Sequence, residues 1–270
     1  MASINTNVGA QVALVNLSTT QFNLNTTQNR ISTGLKVTGP VDDAADFAIA
    51  QGLRSNINAF SAVQQSLSSA TGVLSVAIAG ATSVSNLLSS INSTAIQASN
   101  PSNTASQQSI LQNNFNAQLS QLNTFINNAV YNGLNLLSAN SASVTITSTI
   151  SGGQLVLTNA SSLSGVSAAL SSGVGTTAAA LALLSTITAQ ELVVGTGLGT
   201  LGASQNSVNF LSTFTQALSN SVTQGLGSLV DANLAQESAK LQSLQVQQQL
   251  GVQALGIANA RPQILLSLFR

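Results

Sequence analysis

The sequence predicts a mainly α protein: an elongated antiparallel helical bundle or coiled coil with one small β-hairpin and paired N- and C-terminal helices. Three observations predict it. Apolar residues recur at alternating four- and three-residue intervals along most of the chain, the signature of helices packed along seams. Hydrophobic content is 44%, mostly Ala, Leu, Val and Ile, while aromatics are 3%. Burial therefore comes from many small contacts along extended faces rather than around a compact centre. One short stretch alone switches to the period of two that marks strands.

In chain order, the N-terminal arm repeats Leu17, Leu24 and Ile31 every seventh residue, beside Val15 and Phe22. Asp42, Asp43 and Asp46 form the single acidic cluster and read as a helix start, where carboxylates complete unpaired N–H groups and favour the dipole. A long seam follows: Leu53, Ile57, Phe60, Gln64, Leu67, Thr71, Leu74, Ile78, Ala81, Ser85 and Leu88. Asn100-Pro101-Ser102-Asn103 reads as a turn. A second helix over 110–130 places Leu111, Phe115, Gln118, Leu122, Phe125 and Ala129 on one side and breaks at Tyr131-Asn132-Gly133.

The middle changes character. Ser143 to Ile150 alternates β-branched residues, Gly152-Gly153 turns, and Gln154 to Thr158 resumes the alternation, which predicts a hairpin near 143–158. Residues 161–175 read as loop and 177–190 as a short helix. Gly195, Gly197, Gly199 and Gly202 read as a connector before a helix over 204–223; no GK[ST] follows, so a phosphate loop is not indicated. The C-terminal arm returns to alternation at Val230, Leu234, Glu237, Leu241, Leu244, Gln248, Gly251, Leu255 and Ala258, and Ser228 to Asp231 resembles a capping box that starts it near 228. Each arm carries an apolar stripe and has no partner nearby in sequence. The arms therefore pair with each other or with the arms of neighbouring molecules.

Composition excludes several function classes. There is no His, Cys or Trp; six basic and six acidic residues balance to zero, and charged residues are 4% of the chain. Nucleic-acid binding relies on cations that neutralise phosphates. Zinc and most transition metals want His or Cys, and Ser-His or Cys-His catalysis needs a His. No catalytic, cofactor-binding or metal-ligating residue is expected, and neither nucleic acid nor membrane is expected as a partner. Between Ser55 and Gln190 no residue is charged, yet frequent apolar residues argue for folding with a Ser/Thr/Asn/Gln surface. Gly72 to Ala81, the most apolar run, is shorter than the roughly 18 residues that a membrane span needs. The start, Met1 to Asn7, lacks the basic and apolar regions of a secretory signal.

The residues resemble a known family. Ile4-Asn5-Thr6-Asn7, Asn29 to Val37, Asp42 to Ala50 with Leu53-Arg54, Tyr131 to Leu137, and Ala254 to Leu268 match, in order, the motifs of bacterial flagellins. The resemblance covers about residues 1–140 and 201–270, and too few residues lie between Leu137 and Gly202 for the variable outer domains of long flagellins.

It implies a non-enzymatic structural subunit that polymerises into the flagellar filament for motility. Residues 1–40 and 229–270 would form the inner, polymerising domain, and 41–228 the helical core domain. The partners implied are other copies of the chain, an export chaperone, the filament cap and hook-junction proteins. The route implied is unfolded export through the flagellar type III apparatus to an extracellular filament. Candidate assembly residues are Leu17, Leu24, Arg30, Ile31, Asp42, Asp43, Leu234, Leu241 and Leu255; Arg30 and Lys36 would end the first helix and contact other subunits. Gln242, Gln245, Gln249 and Gln253 would line the central channel with neutral polar groups.

The resemblance also implies sugars on hydroxyls of 138–177. In the segment that the mammalian flagellin receptor reads, Ser90, Asn92 and Ser93 stand where detected flagellins carry Arg, Arg and Glu, with Leu88, Ile91, Ala95 and Ile96 keeping the buried side. A hook–filament junction protein shares the terminal motifs but usually has a larger middle. A surface adhesin on the same frame lacks room, and a metalloprotease insert would need the missing His.

Overall fold

The computed structural model describes residues 6–139 and 143–267. Ile4, Asn5 and Leu268 of the terminal motifs lie outside them. Helices α1 (Val8–Thr33), α2 (Ala44–Ala98) and α3 (Ala105–Asn128) are followed by strands β1 (Val144–Thr147) and β2 (Gln154–Leu157). A 3-10 turn (Ser161–Gly165) and the short α4 (Val166–Ala169) lead into α5 (Thr177–Val230), and α6 (Leu234–Ser267) ends the order. Two compact units result, one of residues 1–55 and 221–270, the other of 56–220.

The second unit holds the large core. From α2 it takes Val63, Leu67, Ala70, Leu74, Ala77, Ala81, Val84, Leu88, Ile91, Ala95 and Ala98, every one buried and spaced strictly by three and four. This corrects half of the expected seam. Leu67, Leu74, Ala81 and Leu88 belong to this core and Phe60 is buried outside it, but Leu53, Ile57, Gln64, Thr71, Ile78 and Ser85 are only half-buried. The expected and the observed rows both alternate by three and four and share every seventh residue, so spacing alone does not say which flank, 63–70–77–84 or 64–71–78–85, turns inward; the one with the small Ala70 and Ala77 does.

Local chemistry sets the ends of the next helix. Asn100 closes the turn by accepting the Ser102 N–H on its side chain at 3.0 Å. Thr104 and Gln107 form a reciprocal capping box at the start of α3. The break at 131–133 is a two-residue turn: Asn132 and Gly133 both adopt positive φ, 48° and 82°, the geometry that Asn-Gly favours. It returns the Tyr131 ring onto α2, where a Cβ on Gly72 would stand 2.7 Å from the ring. Asn135 then donates to the Ile126 carbonyl at 2.7 Å, capping the end of α3.

The hairpin forms as expected, antiparallel with Val144 opposite Leu157 and Thr147 opposite Gln154. The segment expected to be loop is partly helical, and two glutamines of α3 clamp its exit. Buried Gln108 donates to the carbonyls of Ala98 and Val174, and Gln112 accepts the Val174 N–H at 2.6 Å. Both polar groups of Val174 are thereby satisfied by side chains, as burial requires.

The expected glycine connector is helix: α5 runs unbroken through 195–202. Val194, Leu201 and Val208 are buried at seven-residue spacing across it, so packing overrides a glycine penalty of about 1 kcal/mol each. Gly197 has its own reason, since a Cβ there would lie 2.6 Å from Leu163 of the 3-10 turn. The expected capping box at 228–231 is also corrected. Ser228 donates to the Gly225 carbonyl inside α5, and Asn233 caps α6 instead, accepting the Gln236 N–H at 3.3 Å.

Helices α2 and α5 each contain an 18-residue stretch apolar enough, by length and composition, to cross a membrane. This corrects the expectation that no stretch is long enough. Uninterrupted apolar runs are short, but the outer faces carry Ala, weakly polar Gly, Ser and Thr, and exposed leucines such as Leu181 and Leu192 in place of charged residues, so the average stays high. Both helices supply the buried core described above.

Candidate assembly site

The first unit pairs the two chain ends. Asn7 begins α1 by accepting the Ala10 N–H at 3.1 Å, and its side-chain amide donates to the Ala258 carbonyl of α6 at 2.8 Å. Along α1 the inward positions are Ala10, Ala13, Leu17, Leu24, Thr27 and Ile31; along α6 they are Glu237, Leu241, Leu244, Gln248, Gly251, Leu255 and Ala258. From Glu237 to Ala258 the alternation read from the sequence is the seam of this pair; its first two members are not, since Val230 ends α5 and Leu234 is exposed. Its most buried apolar residues are Leu24 and Leu244, each 6% exposed; burying a leucine contributes roughly 1.5–3 kcal/mol. Leu17 packs on Gly251, whose absent Cβ leaves room for it.

Polar pairs interrupt the seam. Gln248 donates to Gln21 at 2.6 Å. Arg30 meets Glu237 at 3.3 Å through a single contact. Arg30, expected to contact other subunits, is thus engaged within its own chain. Below the seam, Leu35 and Asp231 form a backbone bridge, with Lys36 N–H to Val230 O at 2.7 Å and Ala232 N–H to Gly34 O at 2.8 Å. Val37, Ala50 and Val230 bury a small core there.

The acidic cluster starts a helix. Asp43 accepts the N–H groups of Ala45 and Asp46, both at 2.9 Å, at the beginning of α2. Asp42 accepts the Thr38 hydroxyl at 2.6 Å, the Thr38 N–H at 2.9 Å and the Gly39 N–H at 3.3 Å. Its carboxyl is held below the usual aspartate value, chiefly by the Thr38 hydroxyl and then the Thr38 N–H. Both carboxylates remain exposed.

The remaining predicted residues fall as follows. Ile31, Leu241 and Leu255 are half-buried in the seam, while Leu234 is 50% exposed. Gln242, Gln245, Gln249 and Gln253 are all exposed, whereas the neighbouring Gln248 turns inward. On α2, in the other unit, Ser90 and Ser93 are exposed and Asn92 is half-buried. Leu88, Ile91 and Ala95 are buried as expected, but Ile96 is 57% exposed and so is corrected from the buried side; it lies one position outside the inner row.

Sequence reading missed a second apolar row. Val8, Val12, Val15 and Phe22 are 55–69% exposed and, at helical spacing, lie on the side of α1 opposite its seam. Val246, Leu250 and Ile257, also over half exposed, do the same on α6. The signal was present as a four–three spacing at 8, 12, 15, 19, 22 and 26, with Thr19 and Thr26 interrupting it.

A charge-poor helical protein whose paired ends are apolar on two opposite faces belongs to a class: subunits that pack against others of their kind. Comparison with known proteins gives the family. The bacterial flagellin N-terminal helical region matches residues 4–142, and the bacterial flagellin C-terminal helical region matches residues 184–269. Flagellin FljK of Caulobacter vibrioides is 37% identical over 99% of this chain and 98% of its own. The flagellin of Brucella melitensis is 34% identical over the whole of both chains. The crystal structure of Bacillus cereus flagellin superposes with a TM-score of 0.50 at 18% identity, covering 56% of this chain and 88% of that one.

The chain belongs to the bacterial flagellin family, in a short form, and is a structural subunit of the bacterial flagellar filament. Junction-protein and adhesin readings are not favoured, because the full-length relatives are flagellins.

Proposed function

We propose that the paired arms, residues 1–40 and 229–270, form the inner polymerising domain, with 41–228 as the helical core domain. The exposed rows Val8–Val12–Val15–Phe22 and Val246–Leu250–Ile257 are the faces that neighbouring copies cover. The observation that carries this is the two-sided apolar character of α1: a helix apolar all round is stable where both sides are packed. Leu17, Leu24, Arg30, Ile31, Leu241 and Leu255 serve assembly by shaping the pair. Leu234, Asp42 and Asp43 are exposed enough to meet neighbouring copies directly. Gln242, Gln245, Gln249 and Gln253 line the central channel, offering an exported chain neither ionic nor apolar anchors.

In this reading the chain is exported unfolded by the flagellar type III apparatus, with an export chaperone, cap and hook-junction proteins as partners. Exposed hydroxyls such as Thr145, Thr147, Ser151 and Thr158 carry sugars. The surface at Ser90, Asn92 and Ser93 lacks the charges that the mammalian receptor reads. The test is negative-stain microscopy of purified protein seeded with filament fragments. Long filaments are expected, and failure to elongate from competent seeds overturns the reading.

A further inference from the structure

The apolar seam between α1 and α6 does not determine its own register. Natively Leu17 faces Gly251, and the same register, with Gln21 on Gln248 and Arg30 on Glu237, brings Leu24 level with Leu244. Sliding α6 by one heptad sets Leu17 against Ala258, Leu24 against Gly251 and Ile31 against Leu244, all apolar or small. Such a repeat tolerates slippage.

Its polar members do not tolerate it. The same slide places Arg30 against Leu244 and Gln21 against Leu255, and the opposite slide carries Arg30 past the start of α6 at Leu234. Either slide parts Arg30 from Glu237 and Gln21 from Gln248 in a half-buried seam; the first brings Gln248 level with Gln28 but leaves Arg30, Glu237 and Gln21 without a polar partner. We infer that the Arg30–Glu237 and Gln21–Gln248 layers are the determinants that fix arm register, supported by Asn7 on the Ala258 carbonyl.

Geometry separates this role from a stabilising one. Arg30 and Glu237 touch through one nitrogen and one oxygen, not as a two-bond fork, and Arg30 Nε and Glu237 Oε2 are buried without a protein partner. A half-buried pair so incompletely satisfied is a poor source of stability, and apolar replacement of buried pairs is often neutral or stabilising. Single polar layers in helical pairs are best attested as register devices. The inference concerns pairing within one chain and stands apart from which faces neighbours cover.

The chain has no cysteine, so introduced pairs report register directly. A Cβ on Gly251 would lie 3.9 Å from that of Leu17, inside the disulfide range of about 3.5–4.5 Å. Leu17→Cys with Gly251→Cys reports the native register. Leu17→Cys with Ala258→Cys reports the one-heptad slip, since Ala258 natively lies against Gly9.

Each cysteine pair is placed in the natural seam and in a seam with Arg30, Glu237, Gln21 and Gln248 all changed to Leu, then oxidised in the full chain on filament seeds. In the natural seam only the first pair closes. In the leucine seam the slipped cross-link is expected to rise about tenfold while helicity is retained or increased. A slipped yield unchanged from the natural seam overturns the inference and assigns register to the Leu35–Asp231 bridge. Should the leucine seam not fold, charge exchange decides. Arg30→Glu alone should depress the native cross-link, and adding Glu237→Arg should restore it. No restoration also overturns the inference.

Discussion

Replacing Phe22 with Ser separates the surface that joins copies from the seam that pairs the arms. Phe22 is 69% exposed on the side of α1 away from α6. Complete burial of a phenylalanine contributes roughly 1.5–3 kcal/mol, and about two thirds of that remains to be gained on assembly, so ~1–2 kcal/mol per subunit is at stake. An equilibrium changes tenfold for each 1.4 kcal/mol, and the critical concentration for seeded growth should rise about 5- to 30-fold. Far-UV circular dichroism of the monomer should not change, because the seam is untouched. Leu24→Ala is the contrasting perturbation: it opens a cavity at one of the seam's most buried apolar positions, costing roughly 2–5 kcal/mol, and should reduce monomer helicity as well as assembly. Sedimentation of seeded reactions measures the critical concentration. A Phe22→Ser value within about twofold of the natural chain, well below the shift expected from that buried area, would refute the assignment of this row to subunit contact.

Leu241→Ala and Leu255→Ala should each weaken filaments more than Lys240→Ala, and moderate salt should change filament stability little, because apolar burial is not screened; urea dissociation curves at two salt concentrations check both. Gln108→Met strands the Ala98 and Val174 carbonyls, costing about 2–4 kcal/mol, or a drop of roughly 5–10 °C in the melting temperature, measured by calorimetry; an unchanged transition contradicts the clamp. Because the Asp42 carboxyl is held below its usual value in the folded chain, its contribution is complete above about pH 4 and lost as pH falls through the lowered value. The Thr38 amide should therefore titrate by NMR with a midpoint below that of a free aspartate, and Asp42→Asn should abolish the titration. Endotoxin-free monomer should be nearly silent in a receptor reporter line, since each missing interfacial arginine commonly costs about 2 kcal/mol or more; Ser90→Arg, Asn92→Arg and Ser93→Glu together should restore part of the signal, and strong activation by the natural protein would refute this.

Much of the fold was legible because its determinants are local. The turn at 100–103, the break at 131–133 and the alternation around Gly152 declare themselves within a few residues; the capping box of Thr104 and Gln107, which starts α3 at Ala105 rather than at 110, was not read. The two arms are legible as well, with heptads that match the observed seam position by position from Glu237 to Ala258. The errors share a cause. At 195–202 four glycines outvoted the buried Val194, Leu201 and Val208, whose support comes from packing partners distant in sequence. At 228–231 a plausible cap motif lost to continued helix, which the bridge between Leu35 and Asp231 helps to hold.

The assembly surface was harder to read than the seam for a physical reason. Periodicity detects a helix by contrast between one apolar side and one polar side. On α1 the seam and the Val8–Phe22 row lie on opposite sides, so each fills the gap that would have made the other stand out. A single chain also contains the partner of only one row: α6 explains Leu17, Leu24 and Ile31, and nothing among the described residues of the same chain covers Val15 or Phe22. Those two residues looked like neighbours of the heptad because they follow its seven-residue spacing, offset by two. An offset of two turns a side chain by about 200° on a helix, which carries it from the partner within the chain to a side that only another molecule can cover.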